Sequence, residues 1–458
     1  MLVTLLAFLV ALAVLITVHE WGHYRVAVAC GVKVLRFSIG FGRQLWRFKP
    51  RRQHPGQDTE FVIAAIPFGG YVKMLDEREG EVAPEERHRA FNTQPLRVRA
   101  AIVAAGPIAN LVLAVLLYAL VSMVGMEEPR AVIAPPVAGS MAEKAGLRAG
   151  DEVLGVRLAE GAEARVLSFE TVRWYLTRGA IDGLDVTLRY ARGGGEREVR
   201  LPLSTLPSRE PDAAMFRAIG LMSPRRAPLI GEVLPGSAAE RAGLRDGDVV
   251  RRAGDTVIED GAQLREWIRA SGSGGTKPRA EQWLVERAGS ELLIEVQPDL
   301  VQDEASGESI GRLGAAVGAP PEMVLVRRGP LASLWHGMQR TQETSLLTLR
   351  LMGRMVLGQF SVKNLSGPIT IADYAGRAAR LGLVHFLNLL AYISVSLGVL
   401  NLLPLPVLDG GHLMYYLWEA VTGKAVDGVW LQRLQYAGLS LLMAMMAVAM
   451  FNDIVARL

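Results

Sequence analysis

Four stretches of this chain, roughly residues 1–22, 100–125, 381–404 and 432–451, are apolar and uninterrupted enough to cross a bilayer, which takes about 20 residues of α-helix. Hydrocarbon offers no hydrogen-bond partners, so a crossing segment must satisfy its own backbone, and each stretch is predicted to be a helix. Half of the 458 residues are hydrophobic, a composition that fits a membrane protein with soluble insertions better than a soluble one. The first stretch lacks a basic leader and a small-residue cleavage site, so it reads as a retained span and not as a cleaved signal peptide. A single cysteine, Cys30, rules out an intrachain disulfide and a paired-cysteine metal site.

Charge supplies an orientation. Residues 24–100 carry 14 Lys and Arg against 8 Asp and Glu, in a chain whose formal net charge is +4. Basic loops stay on the cytoplasmic side, so this loop is expected in the cytoplasm with both chain ends outside. About 255 residues between the second and third stretches then lie on the outer side.

That insert contains a repeat. GSMAEKAGLRAGD at 139–151 and GSAAERAGLRDGD at 236–248 agree at 10 of 13 positions with an offset of 97 residues, the size of one small domain. Each copy reads as a short helix, a turn built on Gly and Asp, and a β-rich run. The segment that follows opens with GPLASLWHGMQRTQETSLLTLRLMGRMVLGQ. Arg340, Glu343, Arg350 and Arg354 interrupt it too often for a span, while Leu, Met and Trp recur at helical spacing. An amphipathic helix on the membrane surface is expected, with packing on the repeat modules as the alternative.

The first apolar stretch ends in HEWGH, residues 19–23. On a helix, residues four apart share a face, so His19 and His23 can aim at one metal ion and Glu20 can reach a water held by it. Two neutral imidazoles and a third ligand leave one position for water, the arrangement of a zinc hydrolase. Ionisable groups at membrane depth are costly and point to function. The candidate third ligand is Asp409, in NLLPLPVLDGGH at 401–412, which the third span delivers to the same side. Pro404 and Pro406 cannot continue a regular helix, and irregular backbone at that depth is tolerated where it lines a site. The competing role for Asp409 is an N-cap of the next helix. His412 reads as a helix-surface residue or a partner of a ligand, and Gly106 and Pro107 as a kink or a close helix approach.

After the first span, VLRFSIGFGRQLWRF and TEFVIAAIPFGGYVKML are strand-like, with turn glycines at Gly40, Gly42, Gly69 and Gly70. An apolar hairpin dipping into the cytoplasmic leaflet would offer an open edge to a substrate; a soluble hairpin on the cytoplasmic face is the alternative.

HEWGH, FNTQPLRVRAAIVAAGPIAN (91–110), LSGPITIA (365–372) and NLLPLPVLDGG (401–411), in this order, resemble the site-2 protease family of intramembrane zinc metalloproteases. The repeat resembles PDZ domains of the bacterial, circularly permuted kind, and a tandem PDZ pair between spans two and three is similar to the family's sigma-E-regulating branch. The resemblance implies zinc held by His19, His23 and Asp409, Glu20 as general base, and Asn401 helping to hold the substrate backbone. It implies a membrane-reentrant β-loop that presents Gly69 and Gly70 to substrate. It also implies peptide grooves, one near Val132 and Ile133 in the first copy and one near Ala218, Ile219, Gly220 and Leu221 in the second, unless the modules act only as spacers or a size filter.

The expected fold is thus an α-helical membrane protein with four transmembrane helices, a cytoplasmic-side reentrant β-loop and two tandem α+β PDZ domains. Its parts are 1–23 (span one), 24–99 (β-loop), 100–125 (span two), 127–221 and 222–325 (PDZ), 329–380 (surface helix and connector), 381–408 (span three), 409–431 (cytoplasmic segment) and 432–452 (span four). The implied partners are membrane lipid and a single-span protein of anti-sigma-factor type, shortened at a first site and cut to release a sigma factor. Peptide C-termini at the PDZ domains and remnant signal peptides are further implied clients, nucleic acid is not, and the implied location is the bacterial inner membrane. Two other classes stay open on sequence grounds: a non-catalytic PDZ scaffold, and a transporter or metal carrier, since broken helices at membrane depth also mark transport paths.

Overall fold

Small residues let the apolar helices touch. The computed structural model describes residues 2–207, 212–303, 307–356 and 367–455, and the chain divides into two units, residues 1–126 with 327–458, and residues 127–326. In the first unit, α1 (Leu2–Ala29) lies against α2 (Leu96–Val124). A Cβ at Gly22 would fall 2.4 Å from the Ala105 carbonyl oxygen, so the two backbones meet there. Ala11, Leu15, Ala114, Tyr118, Ala391 and Val395 form one apolar core. It joins α1 and α2 to α10 (Leu383–Asn401), where Ser394 donates a 2.7 Å hydrogen bond to the Asn110 carbonyl.

The remaining helices of this unit are α8 (Pro330–Val356), α9 (Pro368–Leu381), α11 (Asp409–Thr422) and α12 (Gly428–Val455). Among the described residues, four helices are long and apolar enough to cross a membrane: α1, α2, α10 and α12. Ser333, Thr341 and Thr344 of α8 are buried, and Gly337 faces the Val115 carbonyl of α2, while Leu331, Trp335, Met338 and Leu349 are exposed. The small and polar face of α8 is thus the packed one. Asp453 of α12 accepts from the backbone N–H groups of Gly367, Ile369 and Thr370 and from the Thr370 hydroxyl at 2.6–3.0 Å. A side chain of α12 thereby satisfies the first turn of α9. Of the LSGPITIA run, Leu365 and Ser366 lie outside the described residues, as do 357–364 of the connector.

Between α1 and α2 run β1 (Val34–Phe48) and β2 (Glu60–Met74), which are long enough to fold on each other twice. Residues 34–39 pair on one side with 70–74 and on the other with 60–63, and 44–48 pair with 61–64. Among the described residues, the outer edge of 70–74 pairs with no strand. Tyr24, Val28, Val34, Phe37 and Ile102 share a core that seats this sheet on α1 and α2. Its far end exposes Phe41, Leu45, Trp46 and Ile66, and its outer strand exposes Phe48.

The second unit holds two modules of one design. After β3 (Met126–Pro129), the first has α3 (Met141–Lys144), β4 (Glu152–Leu158), β5 (Ala164–Arg165), α4 (Phe169–Asp182), β6 (Val186–Arg192), β7 (Gly195–Leu201) and α5 (Ala213–Ile219), with sheet order β5-β4-β6-β7. The second has β8 (Ile230–Val233), α6 (Ala238–Ala242), β9 (Val249–Ala253), β10 (Thr256–Val257), α7 (Gly261–Ala270), β11 (Glu281–Arg287) and β12 (Ser290–Val296), with order β10-β9-β11-β12. It continues through β13 (Asp299–Gln302), β14 (Ser309–Arg312) and β15 (Ala315–Val317) to β16 (Met323–Val326).

The repeated residues explain the repeated structure. Ser140 and Ser237 accept from the N–H of Glu143 and Glu240, whose carboxylates reach back to Gly139 and Gly236 N–H at 2.6 Å, a reciprocal cap on each short helix. Asp151 and Asp248 are almost fully buried. Each takes two hydrogen bonds from an arginine, Arg192 at 2.5–2.6 Å and Arg287 at 2.7 Å.

The residues expected to open the second groove pack within the first module. Ile219 and Leu221 are buried in the core of the first module, Gly220 ends α5 against Ser140, and Gly220 carbonyl accepts from Val137 N–H at 3.2 Å. The segment therefore completes the first copy. Its counterpart in the second copy is Leu313–Gly314–Ala315, where the Gly314 carbonyl accepts from Leu234 N–H at 2.9 Å and Gly314 packs on Ser237. Sequence matching missed it because the chain between the repeated helix and this loop differs in length, so 313–315 falls outside the 97-residue offset.

Candidate metal centre

His19 and His23 lie one turn apart on α1, and Asp409 is the first residue of α11. The chain leaves α10 after Asn401 and becomes helical again at Asp409, so Pro404 and Pro406 sit in a short irregular link. A Cβ at Gly410 would lie 2.1 Å from the Leu403 carbonyl oxygen, and one at Gly411 2.2 Å from that of Leu405. The paired glycines thus let α11 start flush against the link. Leu408, not Asp409, occupies the N-cap position, leaving the Asp409 carboxylate free to turn towards the histidines.

Three ligand atoms converge. His19 Nε2 is 3.2 Å from His23 Nε2 and 3.2 Å from Asp409 Oδ2, and His23 Nε2 is 3.5 Å from Asp409 Oδ2. An ion with tetrahedral bonds of about 2.0–2.1 Å has ligand-to-ligand edges of roughly 3.3–3.4 Å. The triangle therefore matches one face of a zinc tetrahedron, with the fourth vertex left for water.

Hydrogen bonding behind the ring nitrogens fixes their form. His23 Nδ1 is 2.8 Å from the Ile102 carbonyl oxygen; a carbonyl only accepts, so Nδ1 carries the proton and Nε2 keeps its lone pair. His19 Nδ1 is 3.1 Å from the Asn110 side-chain amide, and Asn110 Oδ1 is buried without a partner. Exchanging the amide O and N gives the buried oxygen a donor: Oδ1 accepts from Nδ1–H and His19 Nε2 is likewise bare. Asp409 Oδ2 is also buried with no donor. Three lone-pair atoms held this close repel one another, and a cation at their centre removes the conflict.

Gly106 makes room for the pair. A Cβ there would sit 2.2 Å from His23 Nε2 and 2.9 Å from His19 Cε1. Gly106 and Asn110 are four residues apart on α2, so one face of that helix supports both rings. From sequence alone Gly106 reads as a kink or a close helix approach and Asn110 has no role; an amide inside an apolar stretch, four residues after a glycine, is the available signal.

Glu20 lines a cavity of about 480 Å³ together with His23, Asp409, Val72, Met74 and His412. Gly70 of β2 packs on the Glu20 side chain, with its Cβ position 2.9 Å from Glu20 Cγ. Gly69 has φ +115° and a Cβ position 2.5 Å from Phe41, a backbone that favours glycine. Asn401 is the half-buried last residue of α10. Ile219, Gly220 and Leu221 belong to the other unit.

A model of Peptidase family M50 matches residues 7–445. A Ralstonia nicotianae protein provisionally named a zinc metalloprotease is 44% identical over 99% of this chain and 98% of its own length. The regulator of sigma-E protease RseP of Escherichia coli is 40% identical over 98% of both chains, and the protease RseP of Yersinia pestis 39% over the same shares.

Proposed function

Since the chain belongs to peptidase family M50 and is a zinc metalloprotease related to RseP, we propose that it hydrolyses peptide bonds within transmembrane segments, using His19, His23 and Asp409 as zinc ligands and Glu20 as general base. The observation that carries this reading is the triangle of lone-pair atoms on α1 and α11, beside Glu20. Zinc bound there supplies a Lewis acid that lowers the pKa of a water towards neutrality and polarises the scissile carbonyl. Glu20 takes the proton of the attacking water and passes it to the leaving amine. Asn110 and the Ile102 carbonyl hold both imidazoles in the tautomer that exposes Nε2. Asn401, at the mouth of the irregular link, steadies the substrate backbone.

A substrate helix hides its amides in i to i+4 hydrogen bonds and must be unwound before attack. The unpaired edge of residues 70–74 receives the unwound segment as an added strand, with Gly69 and Gly70 bringing backbone close to Glu20. The apolar far end of the sheet dips into the cytoplasmic leaflet, and α8 lies at the opposite membrane surface with its large apolar side chains in lipid.

The two modules act as PDZ domains on the outer side of the bacterial inner membrane. They select single-span substrates, of anti-sigma-factor type, whose outer part an earlier cut has removed; remnant signal peptides meet the same requirement. Ile219, Gly220 and Leu221 in the first module and Leu313 to Ala315 in the second are where a peptide's terminal carboxylate is received. A cavity of about 760 Å³ beside the second loop is lined by Arg265, Arg269 and Arg312 and by Glu232 and Asp303, with Asp303 paired to Arg269, which leaves its lining net positive.

Co-expression with a tagged single-span substrate tests the reading. Wild type should shorten the tag-bearing band, and Glu20→Gln and Asp409→Ala should each accumulate the uncut form. Cleavage by Glu20→Gln at the wild-type rate would point instead to a scaffold with an unrelated protease acting nearby.

A further inference from the structure

All three proposed ligands are referenced to α2, which supplies none of them. Two of the references are described above: Asn110 and the Ile102 carbonyl behind the histidines. The third concerns Asp409. Arg99, in the first turn of α2, donates from Nη2 to Glu419 Oε1 of α11 at 2.5 Å, and its guanidinium lies 5.1 Å from the centre of the Tyr416 ring. The Arg99 and Glu419 side chains are only 16% and 24% exposed, so water competes weakly for the pair.

Periodicity connects this contact to the metal centre. Arg99, Ile102, Gly106 and Asn110 follow helical spacing along one face of α2, and Asp409, Tyr416 and Glu419 do so along one face of α11. Glu419 stands ten residues after Asp409, about 15 Å along the helix axis. At its other end α11 starts flush against the irregular link through Gly410 and Gly411. A rod held near both ends cannot roll, and rolling would swing the Asp409 carboxylate away from the imidazoles. We infer that Arg99, through Glu419 and Tyr416, is a positioning residue that sets the rotation of α11 and so the reach of Asp409; this rests on the reading of Asp409 as a ligand.

The test uses the full chain in detergent, stripped of metal and titrated with Co(II), whose visible absorption reports ligand number and geometry. Arg99→Ala and Glu419→Ala should each weaken Co(II) binding by about 10–100-fold and alter the band. The charge-reversed pair Arg99→Glu with Glu419→Arg should recover most of the affinity that Arg99→Glu alone loses. Should Arg99→Ala fail to fold, the near-isosteric Glu419→Gln is expected to lose about fivefold or more. Folded single variants with wild-type affinity and an unchanged band would overturn the inference, as would a reversed pair no better than Arg99→Glu. Asp409→Ala separates the two levels: if it binds Co(II) as wild type does, the ligand assignment itself fails. If it loses Co(II) while Arg99→Ala and Glu419→Gln do not, only the role of Arg99 falls.

Discussion

Gly106 decides whether two imidazoles can face one point. Its hydrogen occupies space where a methyl group would lie 2.2 Å from His23 Nε2, so Gly106→Ala must displace a ring. Metal content after dialysis should fall at least tenfold. Glu20→Gln should behave oppositely: zinc stays, and hydrolysis drops by about 10²–10⁴ because proton transfer is lost while ligation is not. Measuring zinc and cleavage on the same preparations distinguishes the two classes of defect. The meeting of HEWGH with Asp409 was legible in the sequence because ligand chemistry restricts residue type and spacing. The Ile102 carbonyl was not, since every residue has one and only the packing of α1 on α2 selects which faces His23. Asn110 lay between these cases, a residue whose polarity was visible but whose target was not.

Among the elements, the four long apolar helices were legible because lipid demands about 20 apolar residues in a row. The fold-back of β1 and β2 was less so. Two strand-like runs suggest a hairpin, but strands of 15 residues each bend so that 34–39 are flanked on both sides, and that depends on register shifts no residue pattern announces. The bend leaves 70–74 as an edge beside Glu20. Gly70→Ala puts a methyl group 2.7 Å from the Ser38 carbonyl oxygen and 2.9 Å from Glu20 Cγ, which must push the edge and Glu20 apart. We expect kcat/KM to fall about tenfold, worth ~1.4 kcal/mol, with zinc content unchanged; full activity would show that this edge does not handle substrate. The packed face of α8 was misleading in another way. A stripe of small and polar residues buried against α2 leaves its large apolar residues outward, the reverse of the pattern expected in water.

Across the whole chain, each of the two repeat modules has a buried apolar core of its own. In the second, burial acts to raise the Asp248 pKa, but the Arg287 hydrogen bonds and the Arg245 N–H outweigh it and hold the carboxyl below its usual range. The unfolded chain then binds more protons in acid. The stabilisation is fully present above about pH 4 and is lost as pH falls through the lowered folded value. Pulse proteolysis in urea should show the module weakening as pH falls below about 4, and Asp248→Asn should cost about 1.5–3 kcal/mol at neutral pH by weakening the charge-assisted hydrogen bonds from Arg287 while flattening that acid dependence. An unchanged acid slope in the variant would assign the effect to other carboxyls. The enzyme itself stands or falls on ligands brought together from opposite ends of the sequence. Zinc-edge X-ray absorption on the purified full chain tests this most directly. Two imidazole nitrogens with one or two oxygens at about 2.0–2.2 Å and no sulfur are predicted, with Asp409→Ala losing an oxygen ligand or the metal; a spectrum that Asp409→Ala leaves unaltered would contradict it.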